Sequence, residues 1–506
     1  MAKEFNRVFD YVCYWAEKLP NHTALIFKDK TISYQILRDC SISAATQLLK
    51  LGVKSGDVIM YSLNSAPEFF FLYIGASMIG ASVSGVNVRS TYFEIVKTIH
   101  IIKPKIVICD NANLINSLAK NSDFSGDILS ITNFDFSKID SSYLKKLDKT
   151  IDSITGDETV FIIFTSGTTG DSKGSCLSHK NIIASAKSQA KEFGAPIGAN
   201  EDDIYQHQVP VNHVSGAVEW GFVPFLTGST IVVVQQFDPS IILQNTQKYH
   251  ITFLAGVPTM WEMMFKVLEF KKYDLSSVRW CMSGAAQINE NLVKRIIGIC
   301  ENFSNPLGMT ETSGFCSGFD GDYNIADSIN TVGKIISTLE YKIIDENFNK
   351  VNQGDVGQMA YRGESVIKKY LLSDIPKTED GFFLSGDMAF EDAKRKIHFC
   401  GRKDDMFTVG GYNVFPQDIE NVIISFGGIK QALVVPTYHP TMGNVCKAYI
   451  TVDREKDFNV QKLKSFLEEH LIYYKIPRDV KILDKFPVNS LGKIMKSELL
   501  ADTSKY

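Results

Sequence analysis

The sequence predicts an α/β protein, with a large N-terminal domain of several α/β subdomains joined to a small α+β C-terminal domain. Three observations carry this. Apolar strand-like runs alternate with helix-like runs through the middle of the chain. At 506 residues the chain exceeds what a single hydrophobic core organises. Beyond a charged break at Lys403, Asp404 and Asp405, a compact pattern of about a hundred residues begins, a common domain size, so the domains are expected at 1–401 and 402–506.

In chain order, residues 69–88 carry no charge and approach membrane-spanning length. Gly75, Ser77, Gly80, Ser82, Ser84, Gly85 and Asn87 make them too small and polar for a span, so a buried helix is expected there. Residues 120–155 are polar and irregular and read as a surface region. Residues 231–234 form a β-branched run that reads as a strand. Asp238 and Pro239 open a helix, an N-cap aspartate with proline at the first helical position. A strand at 251–254, a helix at 258–270, a strand at 278–282 and a helix at 288–299 follow. This alternation implies helices layered over sheets. In the C-terminal part a helix opens at Pro416, strands are expected at 432–435 and 448–452, and a helix at 460–470.

Composition narrows the function. Hydrophobic residues at 44% and charged residues at 22% fit a soluble globular protein. A net charge of −4 gives no reason to expect nucleic acid or an acidic membrane surface as partner. The nine cysteines include no C-x-x-C, which fits reduced thiols in the cytoplasm rather than a disulfide frame or a zinc site. The N-terminal residues lack the apolar core of a signal peptide.

The most telling stretch is FTSGTTGDSKG at 164–174. It combines Gly167, Gly170 and Gly174 with the hydroxyls of Thr165, Ser166, Thr168, Thr169 and Ser172 and with Lys173. Glycines let backbone amides approach an anion, and hydroxyls and an ammonium add donors, so the loop suits a polyphosphate. An apolar run at 159–164 precedes it and a helix-like run at 178–193 follows, which reads as strand, turn and helix. The nucleoside-triphosphatase P-loop and the dinucleotide G-x-G-x-x-G fingerprint both fail here on spacing.

The loop resembles the phosphate loop of the adenylate-forming superfamily, which includes acyl-CoA synthetases, luciferases and peptide-synthetase adenylation domains. Further motifs follow in that family's order: Leu307-Gly-Met-Thr-Glu311, Ser385-Gly-Asp387, Gly401-Arg-Lys-Asp-Asp405, Gly410-Gly-Tyr-Asn-Val-Phe-Pro416 and Pro487-Val-Asn-Ser-Leu-Gly-Lys493. The resemblance implies an ATP- and Mg²⁺-dependent enzyme of the acyl-CoA ligase branch. It would join a carboxylic acid to AMP and then to coenzyme A.

On this resemblance ATP is held by Thr165, Ser166, Gly167, Thr168, Thr169, Gly170 and Lys173 at the phosphates. Ala285, Leu307, Gly308 and Met309 lie at the adenine, Thr310 at the α-phosphate, and Asp387 and Arg402 at the ribose. Glu311 and Thr165 hold the metal, and Lys493 bridges carboxylate and phosphate, so Lys493, Glu311 and Thr310 are the catalytic set. His213, Val214, Gly216, Ser283 and Gly284 border the acid, Gly410 and Gly411 line the channel for the CoA arm, and Asp404 is the hinge of a mobile C-terminal domain. Two positions depart from the pattern: Ser172 stands where the family has proline, and Leu307 where it has an adenine-stacking tyrosine.

Amino-acid-activating relatives carry an aspartate that 209–217 lacks, so a fatty or aryl acid is expected. The mild positive balance of 402–506, with 15 Lys+Arg against 13 Asp+Glu, suits CoA phosphates or an acyl carrier protein equally. A carrier-protein loading enzyme and a non-catalytic acyl-nucleotide-binding protein are the alternatives, and a homodimer is the expected assembly if the chain is not a monomer.

Overall fold

The structure is a computed structural model describing residues 4–500 apart from 122–123, 166–172, 193–197, 268–269, 285–287, 289, 301, 319–330, 410–411, 440–442, 453–457 and 489–493. Two large sheets dominate it. The first has six strands in the order Asp127–Ser130, Ile106–Cys109, Val58–Ser62, Ser82–Gly85, Thr159–Thr165 and Lys173–Ser178, parallel except for the last. The second has seven, in the order Phe303–Ser304, Trp280–Ser283, Phe253–Gly256, Ile204–His207, Thr230–Val233, Thr23–Phe27 and Lys30–Ser33, again parallel up to its antiparallel edge. One apolar core joins both sheets to the helices Val8–Lys18, Tyr34–Lys50, Pro67–Met78 and His179–Glu192. Parallel sheets need such cover on their faces, which is why their strands read as continuous apolar runs.

A four-stranded antiparallel sheet follows, Glu340–Ile344, Gly357–Arg362, Phe383–Glu391 and Ile397–Arg402, with its own core. The C-terminal part folds as the three strands Ile429–His439, Gly443–Val452 and Asp479–Ile482 beside the helices Pro416–Ser425 and Val460–His470, around another separate core. The expected class, a large α/β part followed by a smaller α+β part, is what the chain adopts.

Several local expectations change. The uncharged stretch at 69–88 is the buried helix Pro67–Met78 and then the strand Ser82–Gly85, and no described helix is long and apolar enough to cross a membrane. The region at 120–155 is not irregular. It holds the edge strand Asp127–Ser130 and the helix Leu144–Ser153, whose Leu147 is buried with Ile151 packed beside the main core. Three apolar residues at helical spacing (Leu144, Leu147 and Ile151) suffice once a neighbouring surface receives them. The helices expected at 258–270 and 288–299 are shorter, Pro258–Phe265 and Glu290–Ile297. Asp238 caps its helix as expected, its carboxylate accepting from the Ser240 and Ile241 amides.

Candidate active site

The segments that flank the loop at 164–174 are two antiparallel strands, not a strand and a helix. Thr159–Thr165 pairs antiparallel with Lys173–Ser178, ending on the pair Thr165 and Lys173. The helix His179–Glu192 starts only after this second strand. Its start is fixed by reciprocal bonds: the Ser178 amide donates to Asn181 Oδ1 at 2.9 Å and the Asn181 amide to Ser178 Oγ at 3.2 Å. Residues 174–178 are uncharged and buried, which favours pairing in the sheet over an exposed helical turn. A phosphate held here would therefore rely on the loop and Lys173, without a helix N-terminus. Ser166, Gly167, Thr168, Thr169, Gly170 and Ser172 lie outside the described residues, as does the Thr165 side chain.

A second segment is sewn to this hairpin. Tyr370 bridges Ser175, the Leu371 amide donates to the Gly174 carbonyl at 2.7 Å, and Asn181 Nδ2 donates to the carbonyls of Glu364 and Val366 at 2.6 and 3.1 Å. The Tyr370 ring thus lies 5.4 Å from the Lys173 ammonium. Its hydroxyl donates to Glu311 Oε1 at 2.9 Å. Burial, and then the neighbouring Glu311 charge, hold the Tyr370 hydroxyl protonated far above its ordinary range. Nothing in the local sequence signalled Tyr370, because its role comes from two partners 59 and 197 positions away.

Glu311 belongs to the tight turn Thr310–Thr312 between the short paired strands Gly308–Met309 and Gly314–Phe315. Its carbonyl accepts from the Ile367 amide at 2.9 Å, and the Ser313 hydroxyl donates to the Ser365 carbonyl at 2.8 Å. Thr310 is buried, Gly308 exposed, and Leu307 and Met309 half-buried against the core of the four-stranded sheet.

Asp387 and Arg402 face each other across two strands of that sheet. The guanidinium donates to Asp387 Oδ1 at 2.6 Å, and Asp387 is only 3% exposed. Burial opposes the Arg402 charge, but Asp387 and then Glu311 and Asp404 outweigh it and raise its pKa. Lys173, Tyr370 and Glu311 therefore form one group and Asp387 with Arg402 another, the Glu311 charge acting on Arg402 between them; four of the five were named from the sequence. Asp404 lies in the tight turn Lys403–Asp405 directly after Arg402, and Asp405 is held by Lys496 at 2.7 Å. Lys493, Gly410, Gly411 and Ala285 lie outside the described residues.

The acid-side candidates are neighbours of another kind. His213 is half-buried, its ring pushed down to about 4 by burial, with Nε2 at 3.3 Å from Asn212 Nδ2. Val214 is half-buried beside it and leads into the π-helical turn Ser215–Glu219. Gly216 answers to packing: a Cβ there would lie 2.2 Å from the Pro210 carbonyl oxygen. Ser283 ends a strand of the seven-stranded sheet and Gly284 follows it, both buried, and among the described residues the Ser283 hydroxyl has no partner. The sequence reading missed Glu219. It is 5% exposed, and burial pushes its carboxyl up to about 8 against the Ser215 hydroxyl beside it. A glutamate in the apolar run 217–226 was the available signal.

Comparison with known proteins fits this geometry. The family described as "AMP-binding enzyme" matches residues 13–371, and the "AMP-binding enzyme C-terminal domain" matches 418–493. Among curated relatives, 4-coumarate–CoA ligase 1 of Petroselinum crispum is 28% identical over 491 residues, covering 93% of this chain and 89% of its own. The 4-coumarate–CoA ligase of Vanilla planifolia is 27% identical, covering 94% and 89%. Among solved structures, ATP-bound MatB from Rhodopseudomonas palustris superposes with a TM-score of 0.85 at 23% identity over 99% of both chains. The O-succinylbenzoate CoA synthetase of Bacillus subtilis, in complex with ATP and magnesium ion, gives 0.83 at 22% identity over 97% of this chain and 99% of its own. These structural likenesses establish the fold. The chain belongs to the family of AMP-binding enzymes and carries that family's C-terminal domain.

Proposed function

We propose that this enzyme is an ATP-dependent, AMP-forming acid–CoA ligase acting on a fatty or aryl carboxylic acid. The observation that carries the reading is Glu311, tied by Tyr370 between Lys173 and the Asp387–Arg402 pair. A carboxylate attacking a triphosphate brings two anions together, so the site must neutralise charge before a bond can form. In the first step an oxygen of the acid bonds to the α-phosphorus, the bond to pyrophosphate breaks, and pyrophosphate leaves. In the second the CoA sulfur attacks the acyl carbonyl, its proton is lost, and AMP leaves.

Lys173 and the loop hydroxyls supply positive charge and donors to the β- and γ-phosphates. Asp387, an acceptor only as a carboxylate, suits the ribose hydroxyls, and Arg402 pairs with it at 2.6 Å. Thr310 donates toward the α-phosphate. Among the described residues no three His, Cys, Asp or Glu side chains cluster to hold a metal. Mg²⁺ needs only one or two carboxylates beside the substrate phosphates, so Glu311, with Thr165, fits it. The ion would neutralise phosphate charge. Residues 402–506 act as the mobile domain, turning at Asp404 to exchange Lys493 for the CoA channel at Gly410 and Gly411.

AMP release from ATP across a panel of fatty and aryl acids, with and without CoA, tests the reading. Release with thioester formation on CoA is the expected result. No release with any acid would favour a silent binding protein, and discharge onto a carrier protein in place of CoA would replace the acceptor.

A further inference from the structure

Behind the strand pair that carries Gly308 and Met309 lies a cavity of about 20 Å³, room for roughly one water-sized group. Aromatic rings line it: Tyr205, Trp220, Phe253, Trp280 and Phe315. Among these rings, with the Gln189 side chain also in the lining, stands the Glu219 carboxyl, and among the described residues its Oε2 has no hydrogen-bond partner. A buried polar atom left bare costs stability, so its presence calls for an explanation.

Two segments that carry acid-side candidates, and a third that follows the turn at Thr310, converge on this cavity. Glu219 ends the π-helical turn that follows His213 and Val214. Met282, which also lines the cavity, precedes Ser283 and Gly284. Phe315 follows Gly314, where a Cβ would lie 3.0 Å from Glu219 Oε1. Gly314 pairs with Met309, the residue before Thr310. One chain step, one cross-strand step and that approach put Glu219 no more than about 13 Å from Thr310. The carboxyl therefore stands one strand pair away from the turn at Thr310.

We propose that Glu219 is the specificity-determining end of the acid pocket, selecting acids whose tail ends in a hydroxyl over acids whose tail ends in a methyl group. The inference rests on the ligase reading and deepens it. A carboxyl among aromatic rings stays protonated at neutral pH, so it both donates and accepts, as a hydroxyl does. The cavity admits a group of that size. A methyl tail would leave Oε2 bare, and a site built to hydrogen-bond rejects a ligand that leaves its polar atoms unpaired. An ammonium tail would need an ionised partner, which burial disfavours here.

Three straight-chain acids that span this distance and differ only in a terminal methyl, hydroxyl or ammonium are compared by kcat/KM for AMP release with CoA. In the wild type the hydroxyl acid should lead the methyl acid by about tenfold or more. Glu219→Leu should narrow that lead to roughly nothing, and the near-isosteric Glu219→Gln should retain most of it. A structural role alone would lower all three acids equally. The same ratio in wild type and Glu219→Leu, or a wild-type preference for the ammonium acid, overturns the proposal. Should none of the acids release AMP, the ligase reading fails by itself. Tryptophan fluorescence titrations with the same acids, read through Trp220 and Trp280, still decide Glu219. Tighter binding of the hydroxyl acid supports it, and equal binding overturns it.

Discussion

The proposed nucleotide side and the proposed acid side of the enzyme handle buried charge in opposite ways. At the nucleotide side Asp387 is almost fully buried, yet Arg402 meets it at 2.6 Å, and Glu311 has the Tyr370 hydroxyl at 2.9 Å. Both of these carboxylates have a protein partner ready before the ligand arrives. At the acid side Glu219 is as deeply buried but faces aromatic rings and is held neutral. A phosphate chain arrives with fixed charge, so its site is built from opposite charge that must be compensated while empty. An organic tail arrives with shape and one or two polar atoms, so its site is built from packing around a few polar groups.

The largest expected effect separates the nucleotide side from everything else. Lys493→Ala should lower acid-dependent pyrophosphate exchange by about a hundredfold or more for every acid alike, while sparing thioester formation from supplied acyl-adenylate. Asp404→Pro should do the reverse, slowing the second half-reaction more than the first. Surviving exchange in the first variant removes Lys493 from catalysis, and equal losses in the second remove the hinge.

A smaller effect probes the residue that lies between Lys173 and Glu311. Tyr370→Phe removes the hydroxyl from Glu311 and should lower kcat/KM for adenylation about tenfold, the size of a hydrogen bond to a charged group. The dependence on Mg²⁺ should shift with it, and no change for any acid would mean Glu311 is positioned without Tyr370.

The smallest effect is read in stability, on the acid side. The Glu219 carboxyl titrates near 8 in the folded protein against an ordinary value of 4.5. The folded state therefore holds a proton that the unfolded chain has released between these values. Its stabilising contribution is complete below 4.5 and declines as pH rises toward 8, where the folded group ionises. Glu219→Gln does not titrate, so its melting temperature should gain on the wild type by roughly a few degrees from pH 5 to pH 8 and then run parallel. Parallel curves over that whole window would mean Glu219 is ionised in the folded protein. The comparison between the two sides would then lose its basis.

Legibility followed the same division. Glu311, Asp387, Arg402 and Lys173 were readable because their motifs are local: glycines, hydroxyls and charges at fixed spacing. Tyr370 and Glu219 were not, since each takes its meaning from residues far along the chain. The fold divides likewise. The helix Val460–His470 was readable because Asn459 caps it and its apolar residues recur at helical spacing. The strand Lys173–Ser178 was not, because only pairing with Thr159–Thr165 makes it a strand. Nor was Asp127–Ser130, a short edge strand defined by Ile106–Cys109 beside it.

By itself the sequence determined which charges and turns exist, the α/β alternation, and the caps that start its helices, because dihedral preference and hydrophobic period act over a few residues. Only the tertiary structure decided that Lys173–Ser178 pairs back on Thr159–Thr165, that Tyr370 lies between Lys173 and Glu311, and that a buried glutamate stands in an aromatic-lined cavity. Burial and cross-strand pairing are set by partners the local chain does not contain.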